Sequence, residues 1–194
     1  HKDLACPIGE KRWAQWRDYF PYGGGMITDF GAHMFDIVQW ALDKDHTGPV
    51  KYEAPMEPTA SRGLVMHYDD GVEVEHRNFG RGFAVRFFGS NGTLDISRSF
   101  FETNPKDLLN IKFKSTDTKL YVSESHENDW VTSAKEGSKP ICDVEIGHRT
   151  ATICHIANLA YEFRRPLNWD PVKEVFIDDF EANLRRGKQY RKPY

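Results

Sequence analysis

Two turn signals in the middle of the chain most restrict what it can fold into. Asp70-Gly71 and Asn91-Gly92 are dipeptides that close tight β-hairpins, because a type I′ turn needs positive φ at both central positions. Around them the apolar period is two, most plainly in Val72-Glu73-Val74-Glu75. Strands are predicted over 50–56, 64–68, 72–79, 83–88 and 93–101, with further ones over 111–113 and 119–122. Sequential hairpins make antiparallel ladders. On either side the period becomes helical. Met26, Ile27, Phe30, Met34, Ile37, Val38 and Ala41 form one apolar face of a continuous helix over about 26–43. Helices are also predicted over 125–135, capped by Ser125, over 145–163, stopped before Pro166, and over 180–186, with a short strand at 167–169 between the last two. Helix, strands, then helices is the order of an α+β fold: an open, mainly antiparallel β-sheet with helices packed on one face.

The first 22 residues read differently. Trp13, Trp16, Tyr19, Phe20 and Tyr22 crowd around Pro21, an aromatic arm rather than a solvated tail. The remainder, 23–194, is expected to form one α+β domain. The chain opens His1-Lys2-Asp3 with no Met, as a piece of a longer protein would. Its ends therefore do not place it in cytoplasm or periplasm.

Composition excludes more than it selects. With 26 basic and 29 acidic residues the formal charge is −3, which lacks the basic excess of a nucleic-acid binder. No apolar run approaches the roughly 20 residues that cross a bilayer, so no membrane partner is expected. Three cysteines without a CxxC indicate neither a disulfide framework nor a zinc module. No G-x-G-x-x-G follows a strand, so no Rossmann domain and no cofactor-binding residue is encoded in this chain.

The chemistry-bearing residues gather at the first helix. On an uninterrupted helix Asp29, His33, Asp36 and Trp40 fall within about 60° of one another, along one edge of the apolar face. Asp29 and His33 would be one turn apart. A carboxylate there fixes the imidazole tautomer and leaves the other ring nitrogen to act as acid or base. Gly23, Gly24 and Gly25 just before them allow backbone to approach a ligand without Cβ obstruction. The same spacing also fits a purely structural Asp–His pair. A metal reading has only the spacing of Asp29, His33 and Asp36 behind it, with no H-E-x-x-H and no nearby cysteine, and no metal is expected. On the later helix His148 and His155 lie two turns apart, about 10 Å, too far to share one ion, and are read as core histidines. Cys154, between Ile153 and His155, is read as a buried inert thiol. Arg185, Arg186, Lys188, Arg191 and Lys192 read as a solvated helix end.

The run Gly23-Gly24-Gly25-Met-Ile-Thr-Asp29-Phe-Gly31-Ala-His33-Met-Phe-Asp36 resembles the Gfo/Idh/MocA oxidoreductases, the glucose–fructose oxidoreductase and inositol dehydrogenase family. It matches their G-G-G-x-x-x-D-x-G-x-H-x-x-D pattern at every fixed position. Phe88-Gly-Ser-Asn-Gly-Thr-Leu-Asp-Ile is similar to the family's strand–GxxG–strand hairpin, and Pro140–His148 followed by a helix and Leu167–Asp170 is similar to the closing segment of a bacterial branch. The resemblance implies the second domain of a two-domain enzyme. An N-terminal Rossmann domain, absent here, would bind NAD or NADP and carry a catalytic lysine in an E-K-P motif. This domain would bind a sugar or polyol and form a homo-oligomer through its open sheet. Carried onto this sequence, His33 is the general acid/base, Asp29 orients it, and Gly24, Gly25 and Asp36 lie at the substrate. Trp16 and Arg17 are assigned to sugar contacts on position and chemistry alone, an aromatic plate beside a guanidinium fork. The rival expectation is a binding or assembly module without turnover that keeps Asp29 and His33 as structure.

Overall fold

The computed structural model describes residues 16–18, 23–117 and 120–187. Apart from Trp16–Asp18, a single 3₁₀ turn, the expected aromatic arm lies outside these residues, as do Lys188, Arg191 and Lys192 of the basic cluster. In chain order the elements are α1 (Gly25–Thr28), α2 (Phe30–Ala41), β1 (Lys51–Glu53), β2 (Leu64–His67), β3 (Glu73–His76), β4 (Val85–Gly89), β5 (Gly92–Ile96), β6 (Phe101–Asn104), α3 (His126–Glu136), α4 (Val144–Phe163), β7 (Leu167–Asp170), β8 (Val175–Phe176) and α5 (Phe180–Leu184). The fold is α+β with antiparallel pairing throughout, as the periodicity predicts. The strands divide between two sheets, where the sequence suggests one. They belong to two compact units, one running from Arg81 to His148 and the other made of the chain before and after it.

The unit that carries the helix motif holds a five-stranded sheet in the order β3-β2-β1-β7-β8. The late strand β7 enters beside β1, pairing Tyr52 with Leu167 and Lys51 with Asn168. Alternation then sorts the side chains by face. Tyr52, Leu64, Met66, Leu167, Trp169 and Phe176 are buried with Phe35 of α2 and Ile153, Cys154, Ile156, Ala157 and Ala160 of α4, so these helices cover that face. The expectation for Cys154 holds: burial pushes its thiol up to about 12, leaving almost no thiolate at neutral pH. The other face is charged, with Lys51, Glu53, His67, Glu73 and Glu75 on it. The strand at 72–79 therefore does not leave an apolar face open, because its outward positions are the glutamates. His148 and His155 are exposed on α4, against the core reading given them, because they fall off its apolar side.

A half-buried histidine of this unit is His76. Its Nδ1 lies 2.9 Å from the Tyr161 hydroxyl, which also accepts the Leu64 N–H at 3.1 Å, tying α4 to β2 and β3. Burial, reinforced by the Arg62 charge, lowers His76 to about 4. The unfolded imidazole titrates near 6.5, so both states are neutral above that pH. Between 6.5 and 4 the unfolded chain takes up a proton that the folded chain refuses, and stability falls as pH drops through this window. After allowance for solvent screening the loss is about 1–2 kcal/mol. Urea midpoints from pH 7 to 4.5 should fall in the wild type and stay flatter in His76→Asn, which keeps an acceptor for Tyr161. Parallel slopes would remove His76 as the cause.

In the unit from Arg81 to His148 the order is β4-β5-β6. One face is an ion-pair ladder. Arg86 grips the buried Asp95 with two hydrogen bonds of 2.6 and 2.7 Å, and Arg81 reaches both Asp95 and Glu102. The Arg86 bond holds Asp95 below the usual carboxylate range. The Asn91-Gly92 signal is met differently from a type I′ turn. Gly89 pairs with Gly92, so Ser90 and Asn91 make the turn and Gly92 opens β5 at φ 149°. A Cβ there would lie 2.2 Å from the Asn104 carbonyl oxygen, and this close strand crossing is what requires glycine. The predicted strand over 111–113 is irregular, and Leu120–Val122 is not a strand, while Lys119 lies outside the described residues. These apolar triplets have strand propensity, but β6 is followed by a 3₁₀ turn at Lys106–Asn110 and leaves them no ladder to join. Ser125 caps α3 through the Asn128 N–H at 3.2 Å, as predicted.

Candidate active site

The glycine run is shaped by three constraints that differ in kind. Gly24 and Gly25 sit at φ 71° and 74°, the left-handed region where a side chain is strained. Gly23 is confined by a neighbour: a Cβ on it would lie 2.6 Å from the Arg17 Cα and 2.7 Å from the Arg17 carbonyl oxygen. The Thr28 hydroxyl ties the run together by donating to the carbonyl of Gly25 at 2.9 Å and to that of Gly23. The Gly24 carbonyl accepts from Asn158 of α4 at 2.8 Å. Asn158 is buried, so the run is fastened to the core.

The continuous helix predicted over 26–43 is interrupted at Asp29, whose φ and ψ are −89° and −94°. Asp29 ends α1 and starts α2. The backbone at Asp29 leaves the helical region and separates the one-turn helix α1 from α2, so the single-face geometry expected for positions 29 to 40 applies only from Phe30 onward. An aspartate at an N-cap normally accepts a backbone N–H one turn ahead. Asp29 makes no such bond, and its Oδ2 lies 3.2 Å from the Arg17 Nε. The Arg17 guanidinium also stands 5.1 Å from the centre of the Trp16 ring. Three residues proposed from sequence, Trp16, Arg17 and Asp29, are therefore assembled, two of them across the glycine run.

His33 is exposed in the first turn of α2, its ring edge-on to Phe30 with centroids 5.9 Å apart. Asp36, one turn further, accepts from the Thr150 hydroxyl of α4 at 3.0 Å and so ties α2 to α4. Gln39, fully buried, donates to the carbonyls of Lys44 and Thr47 at 2.7 and 2.8 Å and closes the end of α2. Thr28, Thr150, Asn158 and Gln39 are the residues that sequence reasoning passed over. Asn158 carried a readable signal, an amide inside the apolar run Ile156-Ala157-Asn158-Leu159-Ala160. Thr28 carried none. Among the described residues no group of three or more His, Cys, Asp or Glu is placed to hold a metal ion, and no helix is long and apolar enough to cross a membrane.

Comparison with known proteins agrees with the motif. No curated protein matches the sequence. A crystal structure of an NAD-binding protein from Listeria innocua is similar, with a TM-score of 0.52 at 19% identity over 79% of this chain and 54% of that one. At that identity the likeness concerns the fold, and the chain spans about half the length of that protein. The family model described as oxidoreductase family, C-terminal alpha/beta domain, matches residues 7–194. With its Gly-Gly-Gly, Asp29 and His33 set on α1 and α2 and its antiparallel α+β architecture, this chain belongs to the Gfo/Idh/MocA oxidoreductases as their C-terminal domain.

Proposed function

We propose that this chain is the substrate-binding domain of an NAD(P)-dependent oxidoreductase acting on a sugar or polyol. The observation that supports it best is the state of Asp29: a carboxylate at a helix start that caps nothing and is held by Arg17, one position ahead of the turn that exposes His33.

Oxidising a secondary alcohol removes a hydride from carbon and a proton from the hydroxyl. Accepting the hydride is the chemistry a nicotinamide supplies when bound, and no described residue of this chain is assigned to hold it. His33 takes the hydroxyl proton, and the negative charge of Asp29 favours the imidazolium that results. Trp16 offers an apolar plate of the kind that packs on a sugar ring. Gly25 keeps a side chain out of the approach, since apart from its own chain neighbours and helix backbone nothing lies within 4 Å of where its Cβ would be, whereas a Cβ on Gly24 would meet Thr28. Asp36, through Thr150, holds α2 in place. Run in reverse, the same groups reduce a ketose.

An assembly module without turnover has one observation in its favour. Phe88, Phe113, Val122 and Trp130 are all exposed in the second unit, apolar side chains that a partner would cover. The test is to join this chain to its upstream sequence and follow nicotinamide absorbance with inositol, glucose and related polyols, using NAD⁺ and NADP⁺ in turn. Substrate-dependent reduction of either cofactor is expected. Its absence with every polyol, together with stable self-association, would favour the module.

A further inference from the structure

We infer that Arg17 is a positioning residue that aims the Asp29 carboxylate, and not a substrate contact. The inference rests on the catalytic reading of Asp29 and His33 given above.

The guanidinium is already engaged on two sides. Its Nε lies 3.2 Å from Asp29 Oδ2, and its Cζ stands over the Trp16 ring. Asp29 in turn has given up the backbone bond that would otherwise hold an N-cap aspartate, so Arg17 is the described group that fixes its orientation. The backbone is built for this contact. The 3₁₀ turn Trp16–Asp18 lies against Gly23 so closely that a methyl group there would overlap the Arg17 main chain. The glycine run is secured by Thr28 on one side and by buried Asn158 on the other. Two segments are thus locked together at the point where Arg17 meets Asp29. A fixed fork suits this task better than a lysine point charge, because guanidinium geometry dictates where the carboxylate oxygens lie.

The inference makes Gly23 and Arg17 parts of one device, and this is testable in the full-length oxidoreductase with the polyol and cofactor that support turnover. Arg17→Gln should lower kcat by about 10–100-fold, the range for a misaimed catalytic group, with KM unchanged within about threefold. Arg17→Lys should recover part of the loss. Gly23→Ala, which forces the 16–18 turn away, should reproduce the Arg17→Gln pattern. A raised KM with kcat intact in Arg17→Gln would make Arg17 a substrate contact and overturn the inference. Unchanged kcat in both Arg17→Gln and Gly23→Ala would overturn it equally. A second readout needs no turnover. In this chain alone, NMR should show the Arg17 Nε chemical shift moving in Asp29→Asn, and an unchanged resonance would dismiss the contact. If the wild type turns over no polyol, the functional reading fails and the kinetic half of this inference with it. The Arg17–Asp29 contact is then judged by the resonance.

Discussion

His33→Asn in the full-length oxidoreductase is expected to lower turnover by about 10²–10⁴-fold, the usual cost of losing a positioned proton-transfer group. The fold should barely respond. His33 is exposed on the first turn of α2 and contributes nothing to the buried core, so its replacement opens no cavity. Asp29→Asn should slow turnover as well, because an amide no longer favours the imidazolium and no longer attracts Arg17. If the two residues act as one unit, the double variant should be little slower than the worse single one. Melting temperature and kcat measured on all three variants separate the alternatives. Full activity in His33→Asn would remove the histidine from the mechanism. A large fall in melting temperature with a proportionate loss of activity would return the pair to a structural role.

Leu64→Ala should have the largest effect on stability. Leu64 is fully buried between the β-sheet and the helices that cover it, and its N–H is held by the Tyr161 hydroxyl. Truncation removes buried methyl groups and leaves a void that a close-packed core fills only in part, a loss of about 2–5 kcal/mol. Val65, the next residue on β2, points to the charged face beside Glu53 and Glu75, and Val65→Ala should cost well under half as much. Urea denaturation of the two variants tests the assignment of faces. Equal losses would mean that both faces of β2 lie against apolar surface, and a reversed order would mean a register slip of one residue, which exchanges the two faces.

What was legible in the chain alone was local. Alternation in Val72-Glu-Val-Glu, the cap at Ser125, the stop before Pro166 and the spacing of Gly23, Asp29, His33 and Asp36 depend on interactions within a few residues, and each left a mark in the composition. The family could be read from the same spacing, which covers the candidate site almost entirely. Partnership across the chain was not legible. That β7 inserts beside β1, that the strands fall into two sheets, and that 111–113 joins neither follow from which edges meet in space. Backbone hydrogen bonds carry no residue label, so a ladder's partner is chosen by tertiary packing. The break at Asp29 belongs to the same class. Helical periodicity runs through Asp29 undisturbed, yet the backbone breaks there, after a glycine run fastened by Thr28 and Asn158 and with Arg17 taking the carboxylate. Sequence named the candidate residues for chemistry, because chemistry is a property of side chains. Only the tertiary structure decided which of them face one another, because that depends on contacts made across long stretches of chain.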